Sequence, residues 1–189
     1  MAEIKSDHSL DAKGMACPMP IVKTKKEMKN IDSGKVLLIE ATDPGTKADM
    51  KAWAESTGHQ YLGFTEDGDT LKHYIRKASD EETKGETSFE HIVNNDELKE
   101  KMASGNTTIV DVRESAEYAF GHIPGAKSIP LGELDNRANE LSEDDEIFVV
   151  CRTGNRSDLA AQKLSEKGYK NVTNVVPGMS EWDGDVEKA

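Results

Sequence analysis

Apolar residues fall in short runs along the 189-residue chain, and the spacing within each run predicts an element. Lys35 to Ala41, Thr107 to Val112 and Ile147 to Val150 are nearly unbroken apolar stretches of strand length, the pattern of strands covered on both faces. Gln60 to Glu66 and Thr70 to Arg76 flank Asp67-Gly68-Asp69, which predicts a hairpin. His8 to Asp11 reads as a short opening strand, and Asn171 to Val176 as a late one. Helical spacing of Ile21, Val22, Lys25 and Met28 predicts a helix over Pro18 to Asn30, with proline tolerated in its first turn. Asp43-Pro44-Gly45 is a turn, followed by a helix from Thr46 to Thr57 that Gly58 closes. Ser157 to Lys167 predicts an amphipathic helix with Leu159, Ala160 and Leu164 turned inward and Gly168 as its stop.

Between these groups lies 78–88, with one alanine and no larger apolar residue. Such a composition buries no core face and reads as a flexible linker. The chain therefore divides into a domain over 7–77, a linker over 78–88 and a domain over 89–189. The first has the order βαβαββ and predicts a two-layer α+β sandwich. The second alternates strand and helix and predicts a doubly wound parallel sheet, an α/β domain with its site at the carboxyl ends of the strands. The longest apolar run, Ile147 to Cys151, is far short of the ~20 residues that span a bilayer. Met1 to Leu10 carry Glu3, Lys5, Asp7 and His8 with no apolar signal core after them, so the expected location is the cytoplasm.

Charge sharpens the division. The chain carries 36 acidic and 24 basic residues, a net charge of −12. Residues 1–77 hold 12 of each, so the whole excess lies in the second part. A chain this acidic is a poor general binder of nucleic acid. Lys23, Lys25, Lys26 and Lys29 gather on the predicted helix after Cys17. They are either a solvated face or a docking face for an acidic partner, the second domain included.

Only two cysteines are present, Cys17 and Cys151, far apart and with no Cys-x-x-Cys pair. A structural zinc site or a stapling disulfide is therefore not expected, and no metal or organic cofactor is implied. Cys151 directly follows the apolar strand, and Arg152-Thr153-Gly154-Asn155-Arg156 leads into the helix. A short glycine-containing loop between strand and helix turns backbone N–H groups inward as an anion cradle. The helix N-terminus adds a partial charge of ~+0.5. With Arg152 and Arg156 on the same loop, the focus favours a thiolate at Cys151. Cysteine phosphatases use similar parts, but their loop is one residue longer and a histidine precedes the cysteine. Here four residues separate Cys151 from Arg156, and Val150 precedes the cysteine. Cys17 lies in Cys17-Pro18-Met19-Pro20, at or before a helix start. It is either a turn residue or a second thiol favoured as thiolate by the helix dipole.

Both halves carry recognisable motifs. The second resembles the rhodanese family of sulfurtransferases in Asp111-Val112-Arg113-Glu114, in Glu117 to Ala126, in the loop Cys151 to Ser157, and in Val176 to Trp182, where Met179 replaces the usual second glycine. The first resembles the TusA-like (SirA-like) sulfur carriers in Leu10-Asp11-x-x-Gly14, Cys17-Pro18-Met19-Pro20, Thr42-Asp43-Pro44-Gly45 and the helix end from Asp49 to Gly58-His59. The resemblance implies that Cys151 is the nucleophile that becomes a persulfide. It also implies that Arg152, Thr153, Gly154, Asn155 and Arg156 bind an anionic donor, and that Cys17 is a second persulfide carrier. The donor is expected to be thiosulfate or a low-molecular-weight persulfide, and the acceptor a thiol or protein, Cys17 included. A carrier or redox sensor without turnover is the alternative. Asp111 and Arg113 read as a bracing ion pair, His122 as a turn residue rather than a base, and Trp182 as a packing residue.

Overall fold

The computed structural model describes residues 3–78 and 89–188, which fall into two compact units. Except for Ala78, the predicted linker lies outside the described residues.

The first unit contains β1 (His8–Ala12), α1 (Met19–Met28), β2 (Val36–Ala41), α2 (Thr46–Ser56), β3 (Gln60–Asp67) and β4 (Thr70–Arg76). The strand order is β1-β2-β4-β3, with β1 parallel to β2 and the other pairs antiparallel. Leu37 and Ile39 of β2, Ile75 of β4, Met28 of α1 and Met50 and Ala54 of α2 form the buried layer between sheet and helices. The period-two alternation of β2 places these apolar side chains on the helix face.

His73 of β4 is fully buried beneath the start of α2. The Thr46 hydroxyl donates to the Asp43 carbonyl at 2.7 Å, so it accepts from His73 Nε2 at 3.0 Å. His73 Nδ1 is then left to accept from the Tyr61 hydroxyl at 2.8 Å. Burial, with Lys47 nearby, pushes the His73 imidazole down to about 4, and burial alone pushes the Tyr61 hydroxyl up to about 12. This buried chain of polar groups ends on the turn Asp43-Pro44-Gly45, which it holds against the sheet.

The second unit contains β5 (Ile92–Asn94), α3 (Asn95–Ala103), β6 (Thr108–Asp111), α4 (Ser115–Phe120), β7 (Lys127–Ser128), α5 (Leu134–Arg137), β8 (Ile147–Val150), α6 (Asn155–Glu166) and β9 (Val172–Val176). All pairs are parallel, in the order β5-β9-β8-β6-β7. Ile147 and Val149 face one buried cluster, and Phe148 and Val150 the other. β8 is thus apolar throughout because both of its faces are covered.

Two details differ from expectation. α6 starts at Asn155, before Ser157, and its buried stripe is Ser157, Ala160, Ala161 and Leu164. Leu159 lies off that stripe and is 52% exposed. At ~100° per residue Ser157, Ala160, Ala161 and Leu164 fall on one side of the helix and Leu159 on the opposite side. The helices α3 and α4 had no apolar run to announce them, although Asn94-x-x-Glu97 forms a complete capping box at the start of α3.

His73 makes the first unit acid-sensitive. Its folded value lies below the ordinary ~6.5, so the unfolded chain binds the proton first and stability falls as pH drops from ~6.5 towards ~4. Urea midpoints of the first unit across this window are expected to decline. His73→Gln is expected to decline less steeply, by about one proton.

Candidate active site

Cys151 leaves the end of β8 and is 1% exposed. The Gly154 N–H donates to its sulfur at 3.1 Å, and Ser157 Oγ lies 3.3 Å from it. Ser157 donates its one proton to Asn174 Oδ1 at 2.5 Å, while Asn174 Nδ2 donates to the Gly154 carbonyl at 3.3 Å. Gly154 has φ 96 and precedes the first residue of α6. The sulfur therefore lies at a helix N-terminus with an amide donor aimed at it, a setting that stabilises negative charge. Two glycines make this possible. A Cβ on Gly154 would come 2.9 Å from Val176 Cγ1, and a Cβ on Gly178 would overlap the Cys151 carbonyl oxygen. Gly178 lets the next segment close on the loop: Met179 N donates to the Cys151 carbonyl at 2.9 Å and Ser180 N to that of Arg152 at 2.9 Å. Asn95 fixes Gly178 through both of its backbone groups, at 2.9 and 3.2 Å.

Two arginines near the loop, Arg113 and Arg156, are paired with carboxylates. Arg113 grips Asp111 through Nη2 at 2.6 Å and Nε at 2.9 Å, and also donates to the Gly121 carbonyl at 2.8 Å. Arg156, expected to face an anionic donor, turns its guanidinium onto Glu117 at 2.7 and 3.2 Å. Arg152, Thr153 and Asn155 are half-buried on the loop. His122 is buried, stacks on Tyr118 with centroids 3.7 Å apart, and places Nδ1 2.9 Å from the Tyr118 carbonyl. Trp182 packs against the cluster that holds Phe148 and Val150.

Cys17 is exposed and faces two carboxylates. Its N–H donates to Asp43 Oδ2 at 2.8 Å, and its thiol donates to Asp49 Oδ2 at 3.0 Å. Backbone N–H groups of Gly45 and Cys17 hold the Asp43 carboxyl below the usual range. The hydrogen bond to Asp49, followed by desolvation and by Asp43, pushes the Cys17 thiol up to about 12. This corrects the expectation of a thiolate. The dipole acts through unsatisfied N–H groups in the first turn, and Pro18 and Pro20 contribute none there. Two nearby carboxylates therefore prevail.

Both halves match known families. Residues 94–185 match the family described as Rhodanese-like domain, and residues 8–77 match Sulfurtransferase TusA. YrkF of Bacillus subtilis strain 168, named as a sulfur carrier protein, is 50% identical over 185 residues, covering 97% of this chain and all of YrkF. The chain belongs to the TusA and rhodanese families. YrkI of the same organism, also named as a sulfur carrier, is 55% identical to the TusA unit over 74 residues, 39% of this chain and 99% of YrkI. The crystal structure of a rhodanese-like domain protein from Staphylococcus aureus matches the rhodanese unit with 33% identity and TM-score 0.50, covering 53% of this chain and 99% of that one. At the family level the chemistry is carriage and transfer of sulfur.

Within the rhodanese unit, sequence reasoning missed Glu117, Ser157, Asn174 and Asn95 as parts of the site. Within the TusA unit it missed the roles of Asp43 and Asp49. Glu117 lies in the motif that marked the family, yet only the fold brings it to Arg156. Among the described residues, no group of three or more His, Cys, Asp or Glu side chains could hold a metal ion.

Two substitutions test these geometries. Asp49→Asn removes the largest influence on the Cys17 thiol, so its alkylation by iodoacetamide at pH 8 is expected to rise by about tenfold or more. Peptide mass spectrometry resolves Cys17 from Cys151. Gly178→Ala places a methyl group against the Cys151 carbonyl. It is expected to lower the stability of the rhodanese unit by about 2–3 kcal/mol in urea unfolding, as overpacking does.

Proposed function

We propose that the rhodanese unit takes a sulfane sulfur from thiosulfate or a low-molecular-weight persulfide onto Cys151, and that Cys17 or an external thiol then accepts it. The observation that carries this reading is the Cys151 sulfur at the N-terminus of α6, 3.1 Å from the Gly154 N–H. The Cys151 thiolate attacks the outer sulfur of thiosulfate. A new S–S bond forms, the donor's S–S bond breaks, and sulfite leaves with the bonding pair. The loop N–H groups and the helix terminus then face the persulfide anion. An acceptor thiol attacks the outer sulfur and releases Cys151 as thiolate, losing its own proton to solvent. Arg152, Thr153, Gly154, Asn155 and Arg156 form the donor-binding loop in this reading, with Asp111 and Arg113 bracing it. The cytoplasm suits it, because two unpaired thiols stay reduced there.

A second reading, a carrier without turnover, draws on the Cys17 thiol held protonated by Asp49. Steady thiosulfate-dependent thiocyanate formation from cyanide separates the two. Cys151→Ser is expected to reduce it to background, while Cys17→Ser retains near wild-type turnover because cyanide needs no second cysteine. Substantial turnover by Cys151→Ser would remove the proposal. Intact mass after donor exposure is expected to show an added sulfur on wild type and none at position 151 in Cys151→Ser.

A further inference from the structure

The strand beside the Cys151 loop carries a polar side chain whose burial calls for an account. Asn174 lies in β9, is 0% exposed, and shares one face of that strand with Val172, which packs among the apolar residues of α6. An amide taken out of water is costly unless both of its ends find partners. Here Nδ2 donates to the Gly154 carbonyl at 3.3 Å and Oδ1 accepts from Ser157 Oγ at 2.5 Å. The reverse orientation would set the amide oxygen against the Gly154 carbonyl oxygen, so these contacts fix which end meets Ser157.

Ser157 is itself fully buried and has one proton to give. Three acceptors lie within reach: Asn174 Oδ1 at 2.5 Å, the Gly154 carbonyl at 3.1 Å and the Cys151 sulfur at 3.3 Å. The carbonyl already accepts from the Asp158 N–H at 3.0 Å and from Asn174. The proton therefore goes to Asn174, and the hydroxyl turns a lone pair towards the sulfur. That lone pair accepts a thiol proton but repels a thiolate. To donate to an ionised sulfur, the hydroxyl must rotate and give up its shortest bond. We infer that Asn174 is a positioning residue that competes with the Cys151 sulfur for the Ser157 proton, and so restrains the thiolate that the Gly154 N–H and the terminus of α6 favour. This deepens the proposed function and rests on Cys151 as its nucleophile. No covalent bond of Ser157 changes: ionisation releases the thiol proton to solvent, and rotation carries the hydroxyl proton from Asn174 to the sulfur.

The test is the pH profile of Cys151 alkylation by iodoacetamide in the full chain, with peptide mass spectrometry separating Cys151 from Cys17. Asn174→Leu keeps the approximate volume and removes both amide contacts. Its half-maximal pH is expected to fall by about half a unit or more, because an ionised sulfur then gains a charge-assisted donor without robbing Asn174. In the Ser157→Ala background the same substitution is expected to leave the half-maximal pH unmoved. The charged groups of the neighbouring elements are the same in every variant, so their influence cancels in the comparison. They are Arg152 of the loop, Arg156 and Asp158 of α6, Glu117 of α4 and the pair of Asp111 with Arg113. Asn174→Ala stands in if Asn174→Leu does not fold. A purely structural Asn174 would, once replaced, loosen the loop and raise the plateau rate in both backgrounds without moving the profile. That result overturns the inference, as does an equal fall in the presence and absence of Ser157. Sulfur uptake from thiosulfate is read separately by intact mass. If wild type gains none on Cys151, the proposed function fails, while the alkylation profiles still decide the role of Asn174.

Discussion

The Gly154 N–H reaches the Cys151 sulfur only because two chain segments close on the loop without side chains in the way. Gly154 has no Cβ to strike Val176, and Gly178 has none to strike the Cys151 carbonyl. The segment after β9 can then donate to the carbonyls of Cys151 and Arg152. Asn95, from the helix after the edge strand β5, clamps Gly178 on both sides. The loop is thus held by hydrogen bonds from the segment after β9, which Asn95 in turn fixes, so the cradle is set before any ligand arrives. Preorganised dipoles of this kind stabilise a developing charge with little reorganisation.

The two sulfurs meet opposite fields. At Cys151 the near neighbours are an amide donor, a hydroxyl and a helix N-terminus. At Cys17 they are two carboxylates, one bonded to the thiol and one to the backbone N–H. Both cysteines stand at a helix start, so the dipole alone does not distinguish them. The difference lies in what the first turn offers. α6 begins with residues that have N–H groups, whereas α1 begins among prolines. The turn that presents Asp43 is in turn held by Thr46 and the buried His73, so the field at Cys17 is built from the core of its unit outward.

Much of this was legible in the sequence, and the limits are physical. The strands around Phe148 and Val110 announced themselves because burial on both faces demands unbroken apolar runs. The Cys151 loop announced itself because glycine, arginine and helix start are consecutive. The pairing of Arg113 with Asp111 is a contact two residues apart and was readable for that reason. Arg156 and Glu117 are 39 positions apart, and only the parallel order of β6 and β8 brings their loops together. Asp49 reaches Cys17 across 32 positions for the same kind of reason. The thiolate expected at Cys17 rested on the dipole, a local effect. It gave way to a carboxylate contact that no local pattern encodes.

These opposite fields bear on how sulfur would move under the proposed reaction. In thiol exchange the departing thiol leaves faster when its anion is better stabilised. A sulfane sulfur attacked on Cys151 would release an anion onto the Gly154 N–H, which already points at it, at the N-terminus of α6. A sulfane sulfur attacked on Cys17 would release an anion beside Asp49 and Asp43, where it is disfavoured. In the proposed reaction the rhodanese unit would therefore give sulfur up readily, and the TusA unit would retain it. The carboxylates that make Cys17 a reluctant nucleophile also make it a slow leaving group. Both follow from one electrostatic feature, and together they describe a carrier rather than a second catalyst. Under the proposed reaction, turnover would belong to Cys151, and sulfur on Cys17 would wait for an acceptor that changes the charge around it.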